Sequence, residues 1–592
     1  MSEPQPIGAR LVARSVRLDL IVAVVLALIL SAGWSLNDWP RLSHLLLPDP
    51  DDMMRLAQVR DWIAGQGIND WTQYRMAPPL GSPMHWSRVN DFGIAAIIVA
   101  ATPLVGRYYA ELTAVLLYPA LLFACALFLS ARIARRLWGA EAGPIGAVLM
   151  ALAYPGTTVF IPGRIDHHAL QVVLIQLLIL LLMRAPSLRA GLAAGAITAV
   201  SLVVGLETAP QMAVLLGFLA LLWVVGGMGE RLRLAGFAAA LAVITLFFLV
   251  FLRPTFWSTG YCDAFTPASS TGTLAGAAAL AALAAATPLL RDWRWRLGAG
   301  ALVGGIVLGA TLLAYPSCIN GPYGVMDPFL RQVFLPYIDE ANGIFRQPRV
   351  ARMIAIGGIV LAASAASIWM VARVPKRWAV TAPIAAVVLV SAIVVLAQVR
   401  GAYIGAPLGA PVLAGLVLAA RRRQCWQLPM VIAAWLASAG LAYLELPKQV
   451  EPWFSHSGPT GDHPVPQVLC SSGTAWEQID RYPPGVAMAG TSVAAYLIGA
   501  THHSTIGAGY HRNNIGNMAM YRFFLGVPDR SRQIAREWHA DYVVFCPGDF
   551  DEIQVDRNFP ASLATQLKAD RAPAWLKPLP MHDTPMRLYR IQ

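Results

Sequence analysis

The feature that most constrains this chain is a series of long apolar stretches separated by short charged loops. Stretches of about 20 apolar residues recur along it, which is the length that an α-helix needs to cross a bilayer. Of its 592 residues, 57% are hydrophobic and only 13% are charged. Such a chain cannot cover a single core with polar side chains in water. The sequence therefore predicts a polytopic α-helical membrane protein.

We predict about thirteen transmembrane helices. They lie near 18–36, 109–131, 143–161, 168–184, 190–206, 209–227, 234–252, 272–290, 297–315, 352–372, 379–398, 403–420 and 427–444. A further apolar stretch, 93–105, is short and contains Pro103. Counting it as a span would place the cluster Arg132–Arg136 outside, so we predict an interfacial or re-entrant segment there instead.

The charges of the connecting loops assign the two sides of the membrane. With the N-terminus inside, every predicted inner loop carries at least two cations, namely Arg132/Arg135/Arg136, Arg184/Arg189, Arg231/Arg233, Arg291/Arg294/Arg296, Arg373/Lys376/Arg377 and Arg421/Arg422/Arg423. Each short outer loop carries at most one. This pattern predicts a multi-pass protein of the cell inner membrane with a cytoplasmic N-terminus and a periplasmic C-terminus. It also accounts for the net charge of +12 without a nucleic-acid partner.

On this topology, almost all residues outside the membrane lie on the outer face. We divide the chain into a transmembrane domain, 1–444, and a C-terminal domain, 445–592. The larger outer loops of the first domain are 37–108 and 316–351. Strand-like runs near residues 485 and 541, with a helical stretch between them, predict a small α/β domain at the C-terminus.

Four of the six cysteines fall on the predicted outer face. Cys262 and Cys318 lie in neighbouring outer loops, and Cys470 and Cys546 lie in the C-terminal domain. An oxidising compartment permits the disulfides Cys262–Cys318 and Cys470–Cys546, and the alternative is a set of buried free thiols.

Ionisable groups are concentrated in two of the outer loops. In the first loop, Asp51 and Asp52 begin a helical stretch, where they serve either as helix caps or as functional carboxylates. The second loop carries Asp166, His167 and His168 directly before a predicted span. Charged groups are costly near hydrocarbon, so this motif either binds a cation or substrate, or forms a polar turn.

Three more charged residues belong to the same face. Glu340 ends the sequence Tyr-Ile-Asp-Glu before the tenth span, and loops are often acidic without a function. Glu207 lies at the outer end of a helical pair and either lines a cavity or caps a helix. Arg400 follows the eleventh span and either extends to the membrane surface or binds a phosphate.

Converging carboxylates and an arginine suit the transfer of a group from a phosphate. Oxygen ligands favour Mg²⁺, and an added imidazole favours Mn²⁺. Either ion can stabilise charge that develops on a departing phosphate or diphosphate. A site at the membrane surface suits a lipid-linked substrate, so membrane lipids are expected partners.

The order and spacing of these residues resemble the catalytic subunit of oligosaccharyltransferase, a member of the C-type glycosyltransferase superfamily. The resemblance covers essentially the whole membrane part and is weaker in the tail. It implies the C-type glycosyltransferase fold, with thirteen spans and an outer C-terminal domain. In the family's first motif an Asp is followed by an apolar residue two positions on and an Arg nine positions on; Asp51, Met53 and Arg60 fit. The resemblance implies that Asp51 is a metal ligand that orients the acceptor.

The other motifs are matched to different degrees. Asp166-His167-His168 is similar to the archaeal version of the family's second acidic motif, which implies Asp166 and His168 as metal ligands. Glu340 matches the acidic residue that lies near metal and acceptor, although its motif fits only partly. Arg400 matches an arginine that contacts the lipid diphosphate. The resemblance thus implies Mg²⁺ or Mn²⁺ as the cofactor and Asp51, Asp166 and Glu340 as catalytic residues.

The acceptor side departs from the family. The motif Trp-Trp-Asp-Tyr-Gly, which reads an Asn-x-Ser/Thr acceptor, is replaced by a stretch without tryptophan at 491–498. The later run His511-Arg512-Asn513-Asn514 stands where the family has a basic residue and then Asp-Asn-Asn. His511, Arg512 and Asn513, like Asp52, His167 and Glu207, either line the substrate site or form ordinary polar turns.

The sequence therefore predicts a membrane glycosyltransferase. It would transfer a glycan from a polyprenyl-phosphate or diphosphate donor to an acceptor protein, glycan or lipid on the outer face. One alternative is a metal-independent transferase that uses a polyprenyl monophosphate sugar. A lipid-linked glycan transporter would be expected to show repeated halves and charges deep within spans, which are not evident here. A non-catalytic scaffold remains the third alternative.

Overall fold

The computed structural model describes residues 7–347, 349–422, 427–454, 470 and 472–592, and most of them are helical. Arg423 of the predicted inner cationic group lies outside the described residues. The longer helices up to residue 454 are Ile7–Asn37, Pro50–Ile63, Arg88–Trp138, Ala142–Ala151, His168–Leu182, Leu188–Val204, Ala209–Gly226, Arg231–Phe251, Pro267–Ala286, Trp293–Ala314, Val350–Arg373, Trp378–Ala397, Arg400–Arg421, Gln427–Ser438 and Gly440–Phe454. The last of these runs across the predicted domain boundary at 444.

The predicted multi-pass membrane character is confirmed. Within the described residues, nine helices are long and apolar enough to cross a membrane, and a pair bent by 95°, Gln427–Ser438 with Gly440–Gln449, makes a tenth. The other three predicted spans coincide with shorter apolar helices, Ala142–Ala151, His168–Leu182 and Leu188–Val204. The count of thirteen spans and their orientation remain predictions.

The short helix after the Asp-His-His motif explains how that motif is placed. His168–Leu182 has 15 residues, so it rises about 22 Å, less than the roughly 30 Å of a bilayer core. The residues before it are not α-helical; they form a 3₁₀ turn, Gly156–Phe160, and an irregular loop. The motif therefore lies at the recessed end of a short helix, where other helices bury it.

The segment 93–105 is helical. It belongs to Arg88–Trp138, which is broken at Gly106, where φ is 78° and the backbone leaves the helical region. Glycine tolerates this conformation, which costs other residues about 1–2 kcal/mol. The break separates the segment from the predicted span that begins near residue 109, and its interfacial position remains a prediction.

The C-terminal residues form the predicted α/β domain. Five strands pair in the order Ser504–Thr505, Val486–Ala489, Tyr542–Phe545, Arg587–Ile591 and Leu576–Leu579. The first three run parallel and the last two pair antiparallel to their neighbours. The helices of this domain are Gly473–Asp480, Thr491–Ala500, Asn514–Leu525, Pro528–Glu537, Val555–Asn558 and Leu563–Lys568. A small hairpin in the first loop pairs Thr72–Gln73 with Ser82–Pro83.

Both predicted disulfides are present. Cys262 is bonded to Cys318, and Cys470 is bonded to Cys546. The first joins the loop after Arg231–Phe251 to the loop after Trp293–Ala314, and the second joins the start of the C-terminal domain to the end of a central strand. The disulfides therefore brace the loops on one face of the protein.

The C-terminal domain packs against the first large loop. Arg60 donates through Nη1 to the carbonyl of Gly499 at 2.5 Å, and its other nitrogens contact Glu111. The Tyr510 hydroxyl donates to the carbonyl of Pro50 at 3.3 Å. Thr505, in an edge strand, exchanges backbone hydrogen bonds with residues 75 and 77 of the loop. These contacts enclose a space between the domain and the membrane helices.

Candidate active site

A cavity of about 750 Å³ lies where the outer loops meet the C-terminal domain. Five of the residues selected from the sequence line it, namely Asp51, Glu207, Glu340, Arg400 and His511. Its wall is acidic: among the lining residues, five are carboxylates (Asp49, Asp51, Glu207, Asp263 and Glu340) and one is an arginine. An acidic cavity of this kind concentrates cations.

Asp49, Asp51 and Asp52, at the start of the helix Pro50–Ile63, have three different surroundings. Asp49 is the N-cap, because its side chain accepts from the backbone N–H of Asp51 at 3.0 Å. Asp52 is fully buried and accepts from the backbone N–H groups of Ile165 and Asp166, each at 2.9 Å. Asp51 lines the cavity and is needed for neither purpose. The alternative that Asp51 serves only as a cap is therefore wrong.

The surroundings of two of these carboxyls raise their pKa. Burial, followed by the charge of Asp49, raises the pKa of Asp51 well above its usual range, and Arg400 opposes the shift. Burial also raises the pKa of Asp52 to about 8 against the attraction of Arg164. A carboxylate with a raised pKa holds a proton more strongly, which suits a group that takes one from a nucleophile.

Asp52 holds the second outer loop in place, so its removal should destabilise the protein. In Asp52→Ala, two buried N–H groups lose their acceptor, and each such loss costs about 1–3 kcal/mol. We expect the apparent Tm of the purified protein to fall by several degrees. Asp61→Ala is the control, because the side chain of Asp61 receives a hydrogen bond from the Gln73 side chain at 3.0 Å and binds no loop backbone. Equal Tm values for the two variants would contradict this role.

The carboxylate of Asp166 is surrounded by side-chain nitrogens of an arginine and two histidines. Arg55 contacts its Oδ1 through Nε at 3.2 Å and Nη2 at 2.8 Å, and the Nδ1 atoms of His167 and His168 each lie 2.6 Å from one of its oxygens. Burial acts to raise the pKa of Asp166, but His167, His168 and Arg55 together hold it well below its usual range. Asp166 is therefore a fixed negative charge.

His167 connects this buried carboxylate to the cavity. Its Nε2 lies 3.1 Å from Oε1 of Glu207, and Gln171 donates to the other oxygen of Glu207 at 2.9 Å. Burial opposes protonation, but the two carboxylates raise the pKa of His167 to about 10. His167 in turn keeps the pKa of Glu207 below its usual value despite burial. Glu207 lines the cavity, whereas His167 lies behind it.

Arg400 and Glu340 form an ion pair on the cavity wall. The Nε of Arg400 donates to Oε2 of Glu340 at 2.9 Å, and both side chains are about one quarter exposed. Arg400 is the first residue of the helix Arg400–Arg421, so this helix directs the guanidinium toward the loops. The remaining guanidinium nitrogens are available to an anion.

Of the three residues His511, Arg512 and Asn513, only His511 lines the cavity. His511 lines the cavity and contacts Asp263. Arg512 lies behind it and clamps Asp263 with two nitrogens, at 2.6 and 3.0 Å. Asn513 is the N-cap of Asn514–Leu525, accepts from Gly516 and donates to the carbonyl of Ile506. The prediction that Arg512 and Asn513 line the substrate site is therefore not matched, because helix capping and an ion pair occupy them.

The side chains near the Asp166 motif include nitrogen and oxygen atoms of the types that bind divalent cations. The Nε2 of His168 is buried and has no hydrogen-bond partner, while its Nδ1 contacts Asp166. A carboxylate behind a histidine commonly orients the imidazole toward a metal. Asp51 and Glu340 supply oxygens on the cavity wall. Asp166 itself has both oxygens engaged by Arg55 and the two histidines, so in this arrangement it orients ligands more than it offers a free oxygen.

Arg55, His85 and Asp263 were missed from the sequence. Arg55 follows Asp51 by four residues in one helix, a spacing that places the two on neighbouring positions of one face. His85 precedes a tryptophan in the first outer loop, and Asp263 follows Cys262 in the predicted disulfide loop. The topology thus places all three near the outer face, but only the folded structure shows their partners.

The described part of the chain thus combines apolar helices, an acidic cavity with one arginine, and a mixed sheet. Solved structures similar to this chain include archaeal oligosaccharyltransferase AglB from Archaeoglobus fulgidus. A complex with an inhibitory peptide and a dolichol-phosphate has a TM-score of 0.62 at 14% identity, over 89% of this chain and 69% of that one. A form tethered to an acceptor peptide with the NVT sequon has a TM-score of 0.59 at 15% identity, over 89% and 69%.

No protein-family model and no curated protein matches this chain. The fold resemblance predicted from the sequence is confirmed. At this low identity the likeness concerns the fold alone, so the chemistry must be argued from the cavity.

Proposed function

We propose that this protein is a membrane glycosyltransferase that transfers a glycan from a polyprenyl-(di)phosphate donor to an acceptor on the outer face. The observation that carries the proposal is the meeting of Asp51, Glu340 and Arg400 in one cavity at the membrane end of the loops. In the related fold, AglB is described in complex with a dolichol-phosphate and with a peptide acceptor. A lipid-linked donor and a separate acceptor are the corresponding partners here.

Arg400 is the residue that binds the donor phosphate. Its guanidinium can exchange Glu340 for a phosphate, because a fork of N–H donors matches both oxyanions. Charge that develops on the leaving phosphate is then neutralised where water is excluded, which is where such stabilisation is largest. Glu340, once released, faces the same cavity and can contact the acceptor or a cation.

Asp51 engages the acceptor nucleophile. Its carboxylate lies on the cavity wall, where it can take the proton that the nucleophile loses. A Mg²⁺ or Mn²⁺ ion held by Asp51, His168 and Glu340, with Asp166 and His167 behind them, would supply Lewis-acid stabilisation of the leaving phosphate.

The part of the cavity wall formed by Thr491 and Ser492 does not select one class of acceptor. Thr491 and Ser492, at the first turn of the helix Thr491–Ala500, line the cavity where the oligosaccharyltransferase motif has tryptophans. Compared with two tryptophans, the hydroxyl side chains of Thr491 and Ser492 leave more space and offer no aromatic surface at these two positions. A protein, a glycan or a lipid acceptor is compatible with this wall.

A metal-independent transferase is the second candidate, and one observation favours it. Arg55, His167 and His168 already neutralise Asp166, so the loop does not need a cation to hold that charge. In that case Arg400 alone would face the phosphate of a monophosphate donor.

One assay distinguishes the two candidates. Purified protein is incubated with polyprenyl-monophosphate and polyprenyl-diphosphate sugar donors and a mixture of acceptors, with and without EDTA. The metal-dependent proposal expects transfer to fall at least about tenfold with EDTA and to return with Mn²⁺ or Mg²⁺. Full transfer in EDTA would favour the metal-independent candidate, and the absence of transfer from both donors would contradict glycosyltransferase function.

A further inference from the structure

A second group of metal-binding side chains lies on the cavity wall, away from the Asp166 motif. The imidazoles of His85 and His511 and the carboxylate of Asp263 each offer a ligand atom, and these atoms lie within 4.8 Å of one another. All three residues line the cavity. None of them takes part in the reaction proposed above.

The three residues come from three separate parts of the chain. His85 precedes the helix Arg88–Trp138, Asp263 lies in the loop before Pro267–Ala286, and His511 belongs to the C-terminal domain. The loop of Asp263 is fixed by the neighbouring disulfide Cys262–Cys318. A ligand bound to all three would join the two loops and the domain that enclose the cavity.

We propose that His85, Asp263 and His511 bind a divalent transition-metal ion such as Zn²⁺, which ties the C-terminal domain to the outer loops. Two imidazoles and one carboxylate form a ligand set typical of Zn²⁺ sites, with the fourth position taken by water or substrate. A Mg²⁺ or Ca²⁺ site would instead be built from oxygens. This proposal is independent of the proposed transferase function.

The ligand atoms are close enough to converge on one ion after side-chain adjustment. Metal bonds of about 2.0–2.2 Å place neighbouring ligand atoms roughly 3.4 Å apart. The three ligand atoms lie within 4.8 Å of one another, and the His511 and His85 rings lie 5.1 Å apart between centroids. The Nε2 of His511 contacts Oδ2 of Asp263 directly, and an ion would separate these two atoms.

His85 is the third proposed ligand of this group. Within the described residues its ring nitrogens have no hydrogen-bond partner, although the ring lies beside a carboxylate and a second imidazole. An imidazole placed in this way keeps a nitrogen for a metal ion.

Arg512 supports the carboxylate of this group from behind. Its guanidinium contacts both oxygens of Asp263, donates to the carbonyl of Met84 at 3.1 Å and lies 4.1 Å from the ring centroid of Tyr261. An arginine in this position fixes the orientation of the carboxylate, as outer partners of metal ligands do. Both oxygens of Asp263 accept from it and Oδ2 also contacts His511, so an ion would replace the His511 contact and use a remaining lone pair of the carboxylate. The positive charge of Arg512 opposes a cation, and the other carboxylates of the cavity wall favour one.

The test measures Zn²⁺ bound to the full chain in detergent. After dialysis against Zn²⁺ and removal of free metal, elemental analysis gives the stoichiometry, and titration gives the affinity. We expect His85→Gln and His511→Gln to lose one equivalent of Zn²⁺ or at least about 10–100-fold in affinity, the size of effect seen even for outer partners of a metal. His502→Gln is the matched control, because His502 lies in the same domain, is 79% exposed and pairs with Asp480.

The possible results separate this site from the transferase site. A variant with Asp166→Ala should keep the equivalent of Zn²⁺ that His85→Gln loses. X-ray absorption at the Zn edge of the wild-type protein should show two imidazole ligands, so the proposal is testable even if one variant fails to fold. Equal Zn²⁺ binding by wild type and His85→Gln, or an equal loss in His502→Gln, would overturn the proposal whatever the transfer assay shows.

Discussion

Replacing Asp51 by asparagine is expected to lower the rate of glycan transfer about 1000-fold, within the 10²–10⁴-fold range of a positioned acid or base. Asp51 lines the cavity while Asp49 caps the helix and Asp52 holds the neighbouring loop. The substitution therefore removes the ionisable group from the cavity, while the asparagine keeps the size of the side chain and an oxygen that can accept from Tyr510. The apparent Tm should stay within about 2 °C of wild type, which corresponds to a fraction of a kcal/mol.

The control for this prediction lies in the same helix. Asp61→Asn changes an equivalent charge ten residues later, at a residue that pairs with Gln73 and not with the cavity. Its transfer rate should stay within about twofold of wild type, as for most surface substitutions. If Asp51→Asn and Asp61→Asn transferred glycan equally fast, Asp51 would have no role in the reaction.

Replacing Arg400 by glutamine should have the second largest effect. Loss of one preorganised donor at a developing oxyanion costs about 10²–10³-fold in rate, and Arg400 supplies both the charge and the fork of donors. Arg400→Lys keeps the charge but not the bidentate geometry, so we expect it to fall between wild type and glutamine. Rates are measured at saturating acceptor with a diphosphate donor.

An arginine of the neighbouring loop controls for the change of charge. Arg346→Gln removes a side chain that pairs with Asn342 and is exposed, so its rate should resemble that of wild type. Equal rates for Arg400→Gln and wild type would show that the Arg400–Glu340 pair is structural only.

The residues that could be predicted from the sequence are those whose position depends on topology alone. Alternating cationic loops assign Asp51, Glu340 and Arg400 to one face, and a membrane helix can turn its ends only toward one side or the other. The two disulfides follow from the same argument, because it places Cys262 and Cys318 in adjacent loops. The α/β domain follows from its strand-like runs.

What could not be predicted depends on contacts between distant residues. Asp52 accepts from the backbone of Ile165 and Asp166, which lie 113 and 114 positions later in the sequence. Arg55 binds Asp166, which lies 111 positions later. No local pattern specifies such partners. For Asn513 the sequence left open a place in the substrate site or in a polar turn, and the structure makes it the cap of Asn514–Leu525, a role that the pattern Asn-x-x-Gly permits.

The number of spans illustrates a different limit. Composition predicts a span over 168–184, and the helix begins at the same residue but ends at Leu182, after 15 residues. The Asp166-His167 segment before it is not helical, and irregular backbone at membrane depth is tolerated only where protein buries it. Composition alone therefore does not distinguish this short helix from a full span.

The most direct test of the account is a cryo-EM structure of the protein with a bound polyprenyl-phosphate donor. The account predicts that the donor phosphate lies within hydrogen-bond distance of the Arg400 guanidinium, with Glu340 displaced and Asp51 facing the reacting carbon. A donor phosphate bound elsewhere, with the Arg400–Glu340 pair at 2.9 Å intact, would contradict it.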